Sequence, residues 1–323
     1  GKVQKGPLSD AFVFLDYNGD ELHDDGTGAN ALEPSVRSDA SGDFSLIATQ
    51  ENFSIIAITD DSTVDTSSGV VLDGVVLKAP LSSSMLTPAT TLMEEGNLTA
   101  AEVIKVLGLP DTIDPLTFDA FAVGVDTNQA LAVEKASHQI MSVINAFAAA
   151  AEGSGASQVD SFQVALNSVV KVMKVRVAAD TEINFSDAVD LADIKTQVIE
   201  DVVAVANVNT TAFNAMADGT ATAILNVNVK INEVTDIGSA SAKNVFSTAQ
   251  VLNVQVKSGV AAEVTAAGTG AIDFTVASAV AAAVNNLAPT DITITGDLQI
   301  SENASSLVVG TLGTIDTDQT DGI

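Results

Sequence analysis

Apolar positions change period along this chain. Near the N-terminus they alternate with polar ones around Val3, Leu8, Ala11, Val13 and Leu15, interrupted by Gly6-Pro7. β-Branched and aromatic runs follow at Phe44 to Ile47, Phe53 to Thr59 and Val70 to Leu77. This period of two, with runs bounded by turn residues, predicts short strands. Asp39-Ala40-Ser41-Gly42-Asp43 has the residue types of a tight connection, and the polar stretch from Asp60 to Gly69 supplies a longer one. An antiparallel β-sandwich of about seven short strands fits a segment of roughly 80 residues.

From Thr99 the spacing becomes helical. Thr99-Ala100-Ala101-Glu102 is a capping box ahead of Val103, Ile104, Val106 and Leu107, so a short helix starts at Thr99 and stops near Gly108, with Pro110 preventing continuation. From Thr127, Leu131, Val133, Ala136, Ile140, Ile144, Phe147 and Ala151 recur mostly at steps of three and four, predicting a long amphipathic helix that ends at Gly153. A third helix is expected over Val159 to Val175, and a fourth from Asp187 through Ile194, Val198, Val202 and Val205. Four such stripes can bury one another as a bundle. Beyond Asn209, helices are favoured over 213–233, 239–265 and 273–287, although Leu225, Val227, Val229 and Ile231 also alternate as a strand would. Two further strands are expected at Asp291 to Thr295 and Leu307 to Leu312.

Composition narrows the class. The chain has 323 residues, 46% of them hydrophobic, which is enough for more than one real core and argues against wholesale disorder. Its 42 acidic and 13 basic residues give a net charge of −29, which repels nucleic-acid phosphates and anionic membranes and attracts divalent cations; nucleic-acid binding is set aside. Solubility in salty water is the other explanation for that acidity. With no Cys there are no disulfides or thiolate metal sites. No apolar run reaches the ~18 residues of a membrane span, so no membrane insertion is expected, and the lack of an opening signal peptide suggests a piece of something larger.

The densest chemistry lies in Asp16-Tyr17-Asn18-Gly19-Asp20-Glu21-Leu22-His23-Asp24-Asp25. Asp16, Asn18 and Asp20, two apart, then the Leu22 carbonyl and Asp24, offer oxygens in the order in which a loop curls around Ca²⁺, and Glu33 before Pro34 is a plausible closing ligand. The run departs from the EF-hand template: Glu21 stands where Gly is expected, and Glu33 arrives about six residues late. A solvated acidic turn is the alternative reading.

Other motifs carry less. Asp65-Thr66-Ser67 has neither the Gly nor the second copy that a two-carboxylate protease site needs. Helical arithmetic puts His138 opposite Ile140 and Ile144, which predicts a solvent-exposed imidazole, and His23 is expected to be a bystander in the acidic loop. With only two His, no nucleophile, base and orienter can be assembled, and no enzymatic activity is expected. No sequence feature favours a side-chain isopeptide at Lys5 or Lys78.

Together Lys5-Gly6-Pro7-Leu8-Ser9-Asp10-Ala11-Phe12-Val13-Phe14-Leu15-Asp16, the acidic loop and Ser38-Asp39-Ala40-Ser41-Gly42-Asp43-Phe44 resemble the calcium-binding B-type domains of bacterial surface proteins, close to the serine-aspartate-repeat adhesins. The family's loop is similar at Asp16, Asn18, Asp20, Asp24 and Glu33, and the insertion before Glu33 is where this chain departs from it. Asp65-Thr66, Leu77-Lys78-Ala79-Pro80, Leu86-Thr87-Pro88-Ala89-Thr90-Thr91-Leu92, Leu107-Gly108-Leu109-Pro110 and Phe118-Asp119 resemble the linker and helical region that follow such sandwiches in very large adhesins of Gram-negative, often marine, bacteria. Ala288-Pro289-Thr290-Asp291-Ile292, Ser301-Glu302-Asn303 and Val309-Gly310-Thr311-Leu312 before Asp316-Thr317-Asp318 are similar to the opening of a cadherin-like repeat, and Glu302, Asp316 and Asp318 resemble the calcium ligands between such repeats.

The resemblance implies an α+β multidomain segment of an extracellular, cell-surface adhesin: a calcium-binding β-sandwich over 1–84, a mainly α-helical domain over 85–287 and an incomplete cadherin-like repeat over 288–323. It implies Ca²⁺ on the Asp16 to Glu33 loop and an unspecified protein, peptide or glycan target. The alternatives are a helical domain that is itself a ligand-binding module, and a non-catalytic part of a secreted carbohydrate-active enzyme, against which the absence of Trp counts.

Overall fold

The computed structural model describes residues 1–27, 31–265 and 267–273, and the backbone of 292–295 and 311–314. It is a mixed α and β structure with several antiparallel sheets. The N-terminal strands are β1 (Lys2–Val3), β2 (Leu8–Ser9), β3 (Phe12–Asp16), β4 (Ser35–Arg37), β5 (Ser54–Ile58), β6 (Val64–Asp65), β7 (Val70–Val71), β8 (Val76–Ala79) and β9 (Met85–Leu86). The main sheet has four antiparallel strands in the order β4-β3-β5-β8, with Val13 opposite Ala57 and Ala57 opposite Leu77. A three-stranded sheet β2-β6-β7 and a parallel pair β1-β9 lie in the same layer of sequence. The expected strand at Phe44 to Ile47 does not form: Asp43 makes one isolated bridge to Lys2, and the residues after it are irregular, with Ile47 83% exposed. Phe44 exchanges backbone hydrogen bonds with Gly1, its amide donating at 2.8 Å, but Ser45 to Ile47 find no partner strand.

The pleat divides the main sheet into two faces. Val13, Leu15, Ile55, Ala57, Leu77 and Ala79 join the core shared with the helices. Phe12, Phe14, Ile56 and Lys78 point the other way; of these Phe14, Ile56 and Lys78 are nonetheless buried, with His23 of the acidic loop packed on Phe14 and Glu21 paired with Lys78. The β8 edge is closed by α1 (Pro88–Gly96), whose Thr91 Oγ1 accepts the Lys78 amide at 2.9 Å, so an open edge is covered rather than left to pair with another chain.

The helices are α1, α2 (Ala100–Val106), α3 (Thr127–Gly153), α4 (Gln158–Ala179), α5 (Ala188–Val202), α6 (Thr210–Glu233) and α7 (Ala240–Thr265). α1 has no counterpart in the expectation, although Thr87 before Pro88 is an N-cap followed by a first-turn proline, and Asn97 ends the helix in a left-handed conformation at φ 48°. The Thr99 and Glu102 capping box forms as the spacing predicts. Asp126, Ser157, Asp187 and Asn209 cap α3 to α6 by accepting first-turn amides.

α3 is the central helix, touched by α4, α6 and α7 and buried nearly all round from Ser137 to Ala151. Over 213–233 the helix wins because Ile224, Val227 and Ile231, spaced by three and four, all enter the core, whereas the alternation needed Val229, which stays 41% exposed. Asn228, fully buried beside them, donates to the Phe185 carbonyl at 2.7 Å and accepts from the Ser142 hydroxyl, fixing the register of α6 on α3. The expected 273–287 helix lies outside the described residues except for Asp273, which is not helical. The last strands, β10 (Ile292–Thr295) and β11 (Thr311–Thr314), pair antiparallel; Glu302, Asp316 and Asp318 lie outside the described residues.

One apolar cluster runs from Val3 of the strand layer to Val260 of α7. Phe147 is fully buried at its centre, whereas Val189 is 67% exposed. Phe147→Ala is therefore expected to cost about 3–5 kcal/mol in urea denaturation, and Val189→Ala to stay within about 0.5 kcal/mol.

Candidate functional site

The acidic loop begins at the end of β3. Asp16 is 3% exposed, and its carboxylate folds the chain: Oδ1 accepts the amides of Gly19 at 2.7 Å and Asn18 at 3.2 Å, and Oδ2 accepts that of Glu21 at 3.0 Å. Glu21 pays for this curl with φ 63°, at the position where an EF-hand carries Gly. Asp20 Oδ1 accepts the Leu22 amide at 2.9 Å, and the Leu22 side chain is 65% exposed.

Asn18, Asp20 and Asp24 are brought together: Asn18 Nδ2 donates to Asp20 Oδ2 at 3.0 Å and to Asp24 Oδ2 at 2.8 Å. Glu33, despite its late position, closes the loop. It is 1% exposed, its Oε1 accepts the Tyr17 amide at 2.7 Å, and its Oε2 accepts the Asp24 amide at 3.0 Å. The donor set is hard oxygen, which suits Ca²⁺, with Asn18 Nδ2 standing between two of the carboxylates. Among the described residues no three carboxylate, imidazole or thiolate groups lie close enough together to hold a metal ion in this arrangement. Capture of a cation would thus require the Asn18 amide group to turn away from Asp20 and Asp24.

Two residues outside the expected set anchor the loop to the sheet. The His23 ring sits edge-on to Phe12 at 5.1 Å and Phe14 at 5.6 Å, and its Nε2 is 3.0 Å from the Glu33 carbonyl. Lys78, with its side chain 3% exposed, holds Glu21 at 2.6 Å and Glu95 of α1 at 2.7 Å, and Glu95 also accepts from Gln163 of α4 at 2.8 Å. A single buried ammonium thus links the loop to the helices. No short sequence pattern marks this, since the partners lie 57 and 17 residues away.

A second polar cluster lies where the strand layer meets α3. Lys5 Nζ is 2.7 Å from Asp65 Oδ2, with both side chains buried, and Asp65 Oδ1 accepts from the Ser67 amide at 2.9 Å and its hydroxyl at 2.7 Å. Asp65-Thr66-Ser67 is thus a turn stabilised by its own aspartate. Gly6, at φ 67°, donates its amide to Glu134 Oε2 at 3.2 Å, and a Cβ there would fall 2.3 Å from Asp65 Oδ1, so only glycine fits.

His138 is fully buried, contrary to the solvent-exposed position expected for it. The arithmetic chose its face of α3 correctly, but that face is roofed by the 65–68 turn and by Phe246 of α7, whose ring stacks on the imidazole at 3.7 Å. Glu134 Oε1 at 3.0 Å and Ser67 Oγ at 3.2 Å both meet Nε2, and Nδ1 has no partner, so no proton relay runs across the ring. Glu134 and His138, four apart, were the signal for this cluster.

Burial, the largest influence, and the Lys5 ammonium push the His138 imidazole below its ordinary value of 6.5, against the opposing pull of Glu134 and Asp65. Burial would raise the Asp65 carboxyl, but the Lys5 ammonium and the hydrogen bonds from Lys5 and Ser67 outweigh it and hold it below 3.8.

No protein-family model, curated protein or solved structure matches the chain. Among the described residues no helix is long and apolar enough to cross a membrane.

Two outcomes are expected. Lys5→Met strands the Asp65 carboxylate and should cost about 3–5 kcal/mol, most of it recovered in Lys5→Met/Asp65→Leu, as read from urea midpoints. Unfolded His138 takes up a proton as pH falls through about 6.5 while folded His138 resists it, so stability declines with falling pH across that window. The Asp65 contribution, by contrast, is fully present above about 3.8 and is lost only as pH falls through its lower folded value. Unfolding free energies at pH 7.5 and 5.0 should differ less in His138→Phe than in the parent chain.

Proposed function

We propose that this chain is a calcium-binding structural segment of a secreted, multi-domain bacterial surface adhesin, in which the 16–33 loop captures Ca²⁺ and stiffens the strand layer for its place in an extracellular stalk. Asp16, Asn18, Asp20, the Leu22 carbonyl, Asp24 and Glu33 would hold the ion. The observation that carries this reading is Glu33: across an insertion it still returns, buried, to the amides of Tyr17 and Asp24, so the chain invests a carboxylate in closing a loop that is already acidic. The convergence of Asp20 and Asp24 on one partial positive charge, the Asn18 amide, supports it further. The sandwich and the cadherin-like continuation belong to the same proposal, drawn from the resemblance of the sequence.

The chemistry asked of the ion is electrostatic. Carboxylates gathered at one loop repel one another, and a divalent cation converts that repulsion into attraction. Extracellular calcium sites bind with dissociation constants around 10⁻⁴ to 10⁻³ M. At a tenfold higher concentration, linkage adds about 1.4 kcal/mol, which is a useful increment for a marginal domain.

The chain has one Tyr and no Trp, and that Tyr17 lies inside the loop, so terbium bound there should show luminescence sensitised through Tyr17. We expect terbium emission that Ca²⁺ displaces, a melting temperature a few degrees higher in Ca²⁺ than in EDTA at fixed ionic strength, and loss of both in Asp20→Ala/Asp24→Ala. Equal melting in Ca²⁺ and EDTA, with no sensitised emission, would leave the loop as a solvated turn.

A further inference from the structure

The calcium reading makes no use of Lys5 and Asp65, yet the backbone is folded to bring the two together. β2 and β6 pair with Leu8 opposite Asp65, the Thr66 amide donates to the Pro7 carbonyl at 3.0 Å, and the Gly6-Pro7 turn carries Lys5 back over the end of β6. Lys5 Nζ stops 2.7 Å from Asp65 Oδ2, with the side chains 7% and 0% exposed. A primary amine is thus held beside a carboxyl carbon where water has little access. The sequence alone gives no sign of this, because the two residues lie 60 positions apart.

The other carboxylate oxygen is differently served. Asp65 Oδ1 accepts from the Ser67 hydroxyl at 2.7 Å, the Ser67 amide at 2.9 Å and the Ser68 amide at 3.2 Å. Three donors converge on the oxygen that does not meet the lysine, which is where negative charge collects when a nucleophile adds to the carbon. Lys78 shows by contrast what a simple buried ion pair looks like here. It divides its ammonium between Glu21 and Glu95, whose side chains are 47% and 16% exposed, and the second oxygen of Glu95 accepts from Gln163 of α4.

We propose that Lys5 and Asp65 condense, without any partner or cofactor, to a side-chain amide that ties the start of the chain to the end of β6. The Lys5 ammonium passes one proton along its hydrogen bond to Oδ2, and the freed Nζ lone pair forms a bond to Cγ while the Cγ–Oδ1 π pair moves onto Oδ1. A second proton passes from nitrogen to Oδ2. The Oδ1 pair then re-forms the carbonyl, the Cγ–Oδ2 bond breaks, and Oδ2 leaves as water. One ammonium and one carboxylate become one amide and one water, so no oxidant or reductant is needed. Fixed proximity supplies the rate, and burial supplies the direction, because an amide replaces two ions that are costly to keep from water. The ion pair described above is the reactant state, and the stabilities given for it belong to the uncondensed chain.

Intact-mass spectrometry of the full chain, folded and aged in EDTA so that the calcium reading plays no part, tests this. The expected mass is lower than that of the sequence by one water, and a tryptic digest should contain one branched peptide joining Lys5 to Asp65. Lys5→Arg, which keeps a cation in place, should restore the full mass, and Asp65→Asn should lose one ammonia instead of one water. A folded, aged chain that keeps the full sequence mass overturns the proposal. So does a water loss that persists in Lys5→Arg, or one that maps to a succinimide such as Asp25-Gly26.

Discussion

The seam between strands and helices is arranged around a buried pair of opposite charges. Lys5 and Asp65 are buried against each other at the seam between strands and helices. Desolvating two ions is costly, and their attraction repays it only where geometry is held and the remaining valences are filled. Ser67 and Ser68 fill those of Asp65, while the adjacent Gly6 amide goes to Glu134 on α3. Glu134 in turn bonds His138, which is clamped by Phe246 of α7. The strand layer can therefore leave the helices only by exposing a chain of polar partners that have no replacements in the core.

The same logic governs the acidic loop on the far side of the sheet. With a net charge of −29, this chain has few cations to spend, and it buries Lys78 between Glu21 of the loop and Glu95 of α1. His23 adds an aromatic foothold on Phe12 and Phe14. These contacts hold the loop's backbone against its own repulsion, while Asp20 and Asp24 both accept from the Asn18 amide. In the proposed function, a cation would act on that residual repulsion.

Local signals were legible in the sequence where local physics decides. The Thr99 and Glu102 cap, the α3 stripe and the Asp187 start all depend on residues within a turn of one another, and all formed. What could not be read depends on what covers a surface. His138 lies on the face that periodicity assigned, but whether that face meets water or α7 is fixed by residues more than 70 positions away. Phe44 to Ile47 has strand composition but, past the Phe44 contact with Gly1, no strand to pair with, and the Lys78 anchor draws on partners from the loop and a helix. Of the acidic loop, the convergence of Asn18, Asp20, Asp24 and Glu33 was visible as spacing; its attachment through Glu21 and His23 was not.

Burying Lys5 and Asp65 at the seam makes strands and helices one cooperative unit. Equilibrium urea unfolding followed in one sample by Tyr17 fluorescence, which reports the strand layer, and by circular dichroism at a helical wavelength tests that claim most directly. The account predicts coincident transitions. A Tyr17 transition complete at lower urea, while the helical signal stays intact, would contradict it.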